Sequence, residues 1–581
     1  MNSKTPQFDA ALHAYYRTLI LDEHGGQWRV CRFSGEKFYV RPEDITFYRR
    51  MQLPLPTLSP KERIRRRHAY TNTYHLFRVS SAFSGKKVIA VYPPNTPYKI
   101  YEHQVWFSDE WNPMEYGVGY DVGKDLFTQL HDLFLRVPRP NLITDTTNVN
   151  SDFTNASTHL KNCYLTFETL SGENLQYFVC CDKSKDCVDC ESLWRCDRCY
   201  GSQYLEDSFR CFFVEQSRSC IDSYFLYDCR NCEKCFMSAN LRNKKYYFFG
   251  AQLTKEEYEE KMRGFSLGSF NVLRTYLAQF EELKKNAVYK PNHNNRAVGG
   301  FGDYIENSKD CFFVYFVYDS ERVNYSMGLA GYTDTFDVLG GINGQLCYES
   351  ILTSMRDNYG VKFSVQTDNC RDMEYCDLCR NSRNCFGCVG LSNKSFCIFN
   401  KQYSEAEYWK TVDVIKTNML KSGEYGEFFP PSMATVPYRI SIDASYPGFN
   451  DFSIPGKYGY DVSEVEFFSD SADTNIVSSN DLPDDIVNVE DSILEKNIYD
   501  EKNKKYFRLT PYELDFYRRE KIALPREHPL VRLAYFRKVY LLGMETFERT
   551  CPVCGVSFVS FYDPKDFKNV YCEECCQKEV V

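Results

Sequence analysis

Histidine is scarce in this chain, nine residues in 581, and none lies in a cluster with Cys or Asp. That argues against metal-assisted hydrolysis, which draws heavily on imidazole ligands. No apolar run approaches the roughly 18 residues of a membrane helix, and the opening MNSKTPQFDA lacks the basic-then-apolar layout of a secretion signal. The expectation is a cytoplasmic, intracellular protein with no membrane partner. With 43% hydrophobic and 26% charged residues, collagen-like, wholly disordered and disulfide-miniprotein readings fail. The length exceeds what one core serves, so several domains are expected.

What is abundant is 26 Cys beside 44 Phe and 45 Tyr. The Cys residues follow a period of three. From Cys181 every third position reads Cys181, Ser184, Cys187, Cys190, Leu193, Cys196, Cys199, Ser202, Leu205, Ser208, Cys211, Val214, Ser217, Cys220 and on to Leu241, with no charged or aromatic residue among them. A second tract repeats the device with Cys370, Met373, Cys376, Cys379, Ser382, Cys385, Cys388, Leu391 and, after Lys394, Cys397. Neither a strand nor a helix has this period. A narrow coil with one small inward side chain per three residues does. Turns of about twelve residues, in the manner of short-repeat parallel solenoids, stack Cys187, Cys199, Cys211, Ser223 and Cys235 in one column; turns of nine are the alternative. The Cys-x-x-Cys pairs within the tracts look like metal ligands. Ser, Leu and Val fill the same positions elsewhere, however, so packed reduced thiols are the favoured reading over metal ligation or disulfides. The outward Phe and Tyr rows are either a partner or base-stacking platform or, as favoured here, are covered by the same chain, including the option that the two duplicated modules pack face to face.

Two duplications mark the organisation. "RPEDITFYRRMQLPLP" from Arg41 matches "TPYELDFYRREKIALP" from Thr510, a short helix followed by an extended Pro-rich turn. "LRNKKYYFFGAQLTKEEYEE" from Leu241 matches "LSNKSFCIFNKQYSEAEYWK" from Leu391; Thr254 with Glu257 and Ser404 with Glu407 have capping-box spacing, which predicts a helix after each tract. Phe270, Leu273, Leu277, Phe280 and Leu283 predict a connecting helix. The N-terminal region reads as hairpins turning at Ser34-Gly35 and Ser84-Gly85, then a helix over Leu126 to Phe134 ended by Pro138. The expected fold is mainly β with some α: two short-coil Cys-rich parallel β-solenoid modules flanked by small α+β zinc-ribbon-like end domains. The expected segments are 1–145, an α+β domain with degenerate zinc-ribbon-like hairpins; 146–265, the first solenoid module with its helix; 266–296, the connecting helix; 297–415, the second module with its helix; 416–500, an acidic linker; and 501–581, a helix-turn repeat and zinc ribbon. The linker expectation rests on Asp461 to Asp500, with twelve acids and one Lys in a Ser- and Asn-rich stretch.

Cys551-Pro-Val-Cys554-Gly555 followed by Cys572-Glu-Glu-Cys575 is the sharpest motif. Two thiolate knuckles close a tetrahedral Zn2+ site with no open position, a structural rather than catalytic cofactor. "VSFVSFY" between the pairs alternates as a hairpin would, and Cys576 is a surplus thiol. Four structural Cys without metal are the alternative. The net charge is -9, yet Arg41 to His68 carries eight Arg and Lys against three acids. Arg49, Arg50, Arg63, Arg65, Arg66 and Arg67 are the candidate nucleic-acid contacts in that basic segment, with the acidic linker as an intramolecular competitor.

Several stretches, "FYRR...LPLP...RIRRR" (Phe47 to Arg67), "WFSDEW" with "YGVGYD" (Trp106 to Asp121), "NCYLTF" (Asn162 to Phe167), the period-three tract, "NKQYSEAEY" (Asn400 to Tyr408) and the closing "VYCEECCQKEV", resemble an uncharacterised Cys-rich zinc-binding family of candidate-phyla bacteria, large phages and giant viruses. The resemblance covers nearly the whole chain. It implies an N-terminal zinc site with a Cys pair in the first hairpin and another before the Arg run; here Cys31 is kept, while Ser34, Ser59 and Glu62 stand at the other ligand positions, so no zinc is expected there. Relatives are sometimes labelled CaiB/BaiF CoA-transferases, a label no motif of this chain supports.

The functional expectation is a non-enzymatic structural and interaction scaffold with one structural zinc, a protein component of a larger assembly such as a virion. The alternative is an RNA- or ribosome-binding protein using the Arg41 to His68 segment. No nucleophile, base and orienting group assemble from the motifs, and no small-molecule substrate is indicated; an enzyme would have to use Trp106, Ser108, Asp109 and Trp111. Redox sensing by the thiol ladders ranks last, because buried Cys without nearby cations are unreactive.

Overall fold

In the computed structural model the described residues are 3–580 apart from 145, 354, 446–450, 466–474 and 541–544, with the backbone alone for 537–540. The chain divides into two compact units, Met1–Ile143 with Asn292–Val465, and Thr144–Pro291 with Glu466–Val581. Each unit thus combines one end of the chain with one Cys-rich tract. The fold is mixed α/β, mostly sheet. No helix among the described residues is long and apolar enough to cross a membrane.

The two tracts form an eleven-stranded and a ten-stranded sheet, parallel almost throughout and each ended by one antiparallel pair. Successive strands pair with a register step of twelve residues, as in Cys211↔Ser223, Val214↔Leu226, Met373↔Cys385 and Cys385↔Cys397. The step shortens at Phe301↔Phe312 and lengthens at Gly344↔Asn358. The short step is what a three-residue side demands. Along the first tract every third residue lies in the left-handed region, for example Asp186 (φ 52), Asp189 (φ 53), Ser192 (φ 56) and Arg195 (φ 55). For a residue with a Cβ this costs about 1–2 kcal/mol, so the corners need compensation.

Hydrogen bonding supplies it. In each three-residue side, one N–H donates to a carbonyl on the next turn (Val188 to Cys199) and the left-handed residue donates to a carbonyl on the previous turn (Arg198 to Lys185). The third N–H points inward, where the sheet offers no carbonyl. Ser184, Ser202, Ser208, Ser217, Ser223 and Ser238 each accept that N–H from the residue twelve positions on, at 3.0 to 3.1 Å. Cys187 does the same through Sγ at 3.4 Å. Other inward thiols donate to the carbonyl two residues back or nine ahead, as Cys211 does to Phe209 and Cys220. The inward residue is therefore small for packing and polar for satisfying the backbone. These thiols, with Leu193, Leu205, Val214 and Leu226 in one tract and Val317, Val338, Met373 and Leu391 in the other, form the two cores.

Helices of the same unit, and in the first unit the segment after Ser422, cover much of the aromatic rows, while Phe209 and Phe249 stay exposed. In the first unit Phe47 stacks on Phe336 at 3.7 Å, and Tyr425 and Phe429 lie against Phe363 and Tyr375. In the second, Phe516 and Tyr517 meet Tyr200, and Tyr276 and Phe280 meet Phe225. The helices are those the sequence predicts: Pro42–Arg50 and Pro511–Glu520 from the first duplication, Lys255–Met262 and Glu405–Ser422 with both capping boxes formed, Phe270–Asn286, and Leu126–Arg136.

The acidic segment 416–500 differs from the expected poorly packed linker over part of its described length, while Asp461, Glu464, Val487 and Glu490 to Ser492 are exposed. Its first residues complete the Glu405–Ser422 helix; Phe428, Phe429, Tyr438, Ile440 and Ile442 are buried, and Ile476–Ser478 pairs with Asn497–Asp500. Apolar residues spaced between the acids anchor it, and several acids have partners: Glu427 and Asp443 lie near Arg66 and Arg65. Residues 466–474 of the acidic stretch lie outside the described residues.

Candidate metal centre

The strands Phe547–Thr550 and Ser557–Ser560 pair in an antiparallel hairpin whose turn is the Cys551 to Gly555 knuckle. The "VSFVSFY" residues thus supply one strand of a hairpin, and its partner precedes Cys551 rather than following within the spacer. The tight turn closes by Gly555 N–H donating to Cys551 O and Cys551 N–H donating to Val556 O, both at 2.9 Å, with Gly555 at φ 76. A side chain there would be strained, hence glycine. Cys572 and Cys575 come from the start of the Glu573–Val580 helix.

The four Sγ atoms of Cys551, Cys554, Cys572 and Cys575 lie within 4.8 Å of one another, and those of Cys554 and Cys572 are 3.6 Å apart. A Zn–S bond of about 2.3 Å in a tetrahedron separates sulfurs by about 3.8 Å, so the set fits a four-thiolate metal ion. Among the described residues it is the one group of three or more potential ligand atoms so gathered. Burial works to raise the Cys551 thiol, but the N–H groups of Cys572, Cys554 and Val553 outweigh it and bring the thiol down to about 6. The knuckle thus prepares a thiolate. Cys576 is buried outside this set, its thiol pushed up to about 11 chiefly by burial and by Asp228.

The inward Cys of the two tracts do not form such a group, and burial holds Cys190, Cys370 and Cys379 well above the usual thiol range. Cys31 is buried in the first hairpin beside Ser34 and Ser59, and Glu62 is turned to Arg65 at 2.9 Å.

The candidate nucleic-acid residues are placed very differently from a phosphate-facing row. Arg63, Arg65, Arg66 and Arg67 on the Pro60–His68 helix are 2%, 3%, 4% and 1% exposed. Arg63 and Arg67 share Asp337 at 2.9 and 3.0 Å; Arg66 pairs with Glu349 and Glu427, both at 2.6 Å. Arg65 bonds Glu62 at 2.9 Å. Side chains this buried cannot reach a phosphate backbone, which corrects the basic-run reading at these four positions. The physical reason is that a guanidinium run also serves as a set of buried cross-links when carboxylates face it. Arg49 and Arg50 remain exposed, Arg49 over the Tyr16 ring and Arg50 bonded to Asp334 at 3.1 Å.

Trp106 and Trp111 pack against each other at 5.8 Å, their indole N–H groups donating to Pro138 O and Trp106 O. Ser108 donates to Val105 O, and Asp109 is exposed. Trp106 belongs to a small core cluster, with Trp111 packed against it.

Sequence reading missed that the duplication of the chain ends extends far beyond Phe-Tyr-Arg-Arg. In the first unit, Asp44 on the Pro42–Arg50 helix accepts from Tyr325 Oη at 2.7 Å, and Arg63 lies over that ring and bonds Asp337, twelve residues on. In the second, Glu513 accepts from Tyr177 Oη at 2.7 Å, and Arg532 lies over that ring and bonds Asp189, again twelve residues on. Each end-plus-tract unit therefore has the same cap. The signal was available: from Phe77 to Val105 the sequence runs position for position without a gap against Phe547 to Cys575, with Gly85 opposite Gly555, Tyr92 opposite Tyr562, Pro94 opposite Pro564 and Tyr101 opposite Tyr571.

Comparison with models of known protein families and with curated proteins found no match.

Proposed function

We propose that this protein is a non-enzymatic scaffold, built from two short-coil solenoids filled with reduced thiols, each covered by a helical cap, with a structural zinc in a ribbon at Cys551, Cys554, Cys572 and Cys575. The observation that carries the reading is that reactive side chains are consumed by packing: the Arg run is paired inside its unit, and the inward thiols bond to backbone carbonyls. A four-thiolate ion has no open position, which supports a structural role for the metal. Rigid repeats present surface to other proteins, and a component of a larger assembly, such as a virion, suits that design. The RNA- or ribosome-binding alternative keeps Arg49 and Arg50 as exposed cations.

Retention of the full chain on immobilised RNA across a salt gradient separates the two readings. A scaffold elutes at low salt, unchanged by Arg49→Ser and Arg50→Ser. Retention that persists into high salt and is lost in the double variant would overturn the scaffold reading in favour of RNA.

A further inference from the structure

The hairpin of Phe77–Ser80 with Lys87–Ala90 has the same register as the metal-centre hairpin and the same turn. Gly85 N–H donates to Ser81 O at 3.0 Å and Ser81 N–H to Lys86 O at 2.8 Å, with Gly85 at φ 74. Where the Cys551 sulfur receives the N–H groups of Val553 and Cys554, Ser81 Oγ receives those of Phe83 and Ser84, at 3.1 and 3.3 Å. The ungapped match places Ser81, Ser84, Glu102 and Val105 opposite Cys551, Cys554, Cys572 and Cys575. Both hydroxyls donate to the Glu102 carboxylate, Ser81 to one oxygen and Ser84 to the other. The element after each hairpin is also held alike: Ile100 pairs in parallel with Arg139, and Val570 with Tyr289.

We infer that the Phe77–Ala90 hairpin with Glu102 and Val105 is a second metal-knuckle position of this chain, in which a carboxylate has taken over the cation's mechanical task. In the C-terminal knuckle a divalent ion would tie two hairpin thiolates to the following segment. Here the tie runs from Glu102 to two hydroxyls, so charge and hydrogen bonding replace coordination. Burial works to raise the Glu102 pKa, but the hydrogen bonds from Ser81 and Ser84 outweigh it and hold the carboxyl below the usual carboxylate range. The backbone frame matches that of the Cys551 to Cys575 group, so a soft divalent ion such as Zn2+ or Co2+ is the ligand it would take once thiolates are introduced. This inference rests on the reading of Cys551 to Cys575 as a structural metal centre.

The test is the full-length variant Ser81→Cys, Ser84→Cys, Glu102→Cys, Val105→Cys, loaded with Zn2+ or Co2+, freed of excess metal and counted by mass spectrometry per chain. The expected result is a doubling, from one metal per chain in the unaltered protein to two in the variant, with the cobalt–thiolate absorption doubling in step. A variant with unchanged near-UV circular dichroism that still binds one metal overturns the inference. Zero metal in the unaltered protein with one in the variant would instead sink the reading of the C-terminal centre and leave this inference standing. Should the fourfold variant not fold, Glu102→Gln decides: amide exchange at Phe83, Ser84 and Lys86 is expected to speed up by ~tenfold, and unchanged exchange overturns the proposed carboxylate tie.

Discussion

Ser217 illustrates what the inward positions require. Its hydroxyl accepts the N–H of Cys229 at 3.0 Å and donates to Glu215 O at 2.8 Å, in a site 3% exposed. Ser217→Ala removes the acceptor and strands a buried N–H, which costs about 1–3 kcal/mol; Ser217→Cys costs less, because sulfur keeps a weak acceptor of similar size. Hydrogen exchange at the Cys229 amide reads this directly, and equal protection in the Ala variant would refute the acceptor role. His68 gives a pH dependence. Burial, with Arg67 adding to it, holds this imidazole down at about 3 against an ordinary 6.5, and Asp443 lies 3.9 Å from its ring. A base with a lowered folded pKa binds a proton only when unfolded between those values, so its contribution to stability rises with pH from about 3 to about 6.5 and is level above that. His68→Gln is expected to flatten that part of the denaturation-midpoint profile; an unchanged slope would show that His68 is not its source. The residue scale was only half legible in the sequence. The small inward side chains follow from period three alone, but the inward-pointing N–H that makes them Ser and Cys depends on pairing between turns.

Among the elements, the Pro60–His68 helix is the one whose meaning the structure reverses. Its Arg density suggested a nucleic-acid face because sequence shows charge but not what lies opposite. Asp337 and Glu349 come from the tract some 270 residues later, and Glu427 from the segment beyond it. Arg66→Ser leaves Glu349 and Glu427 without their shared guanidinium, a loss of about 3–5 kcal/mol for a broken buried pair, whereas Arg49→Ser on an exposed face changes stability by no more than about 0.5 kcal/mol. Thermal denaturation of the two variants checks this contrast, and equal melting points would mean that the buried pairs contribute nothing. The capped helices were better read in advance. Thr254 with Glu257 and Ser404 with Glu407 are local signals, and both boxes form as the spacing predicts. The C-terminal hairpin was misplaced by one strand, since alternation in "VSFVSFY" marks a strand without naming its partner.

At the scale of the molecule, two copies of one design account for most of the chain: a tract with a twelve-residue register, a helix carrying Asp44 or Glu513, an Arg that reaches the tract, and a glycine-turned hairpin. That each end of the chain groups with the tract further from it was not legible, because sequence order says nothing about which tract an end covers. The central proposal is that the four Cys gathered as possible ligands hold one metal ion and that the other 22 of the 26 are packing residues. Counting metals per chain by mass spectrometry on native protein, together with thiol titration before and after denaturation, tests it most directly. The account predicts one zinc, with the other 22 thiols reactive only once the protein is unfolded. Three or more metals per chain would make the period-three tracts ligand arrays and contradict it.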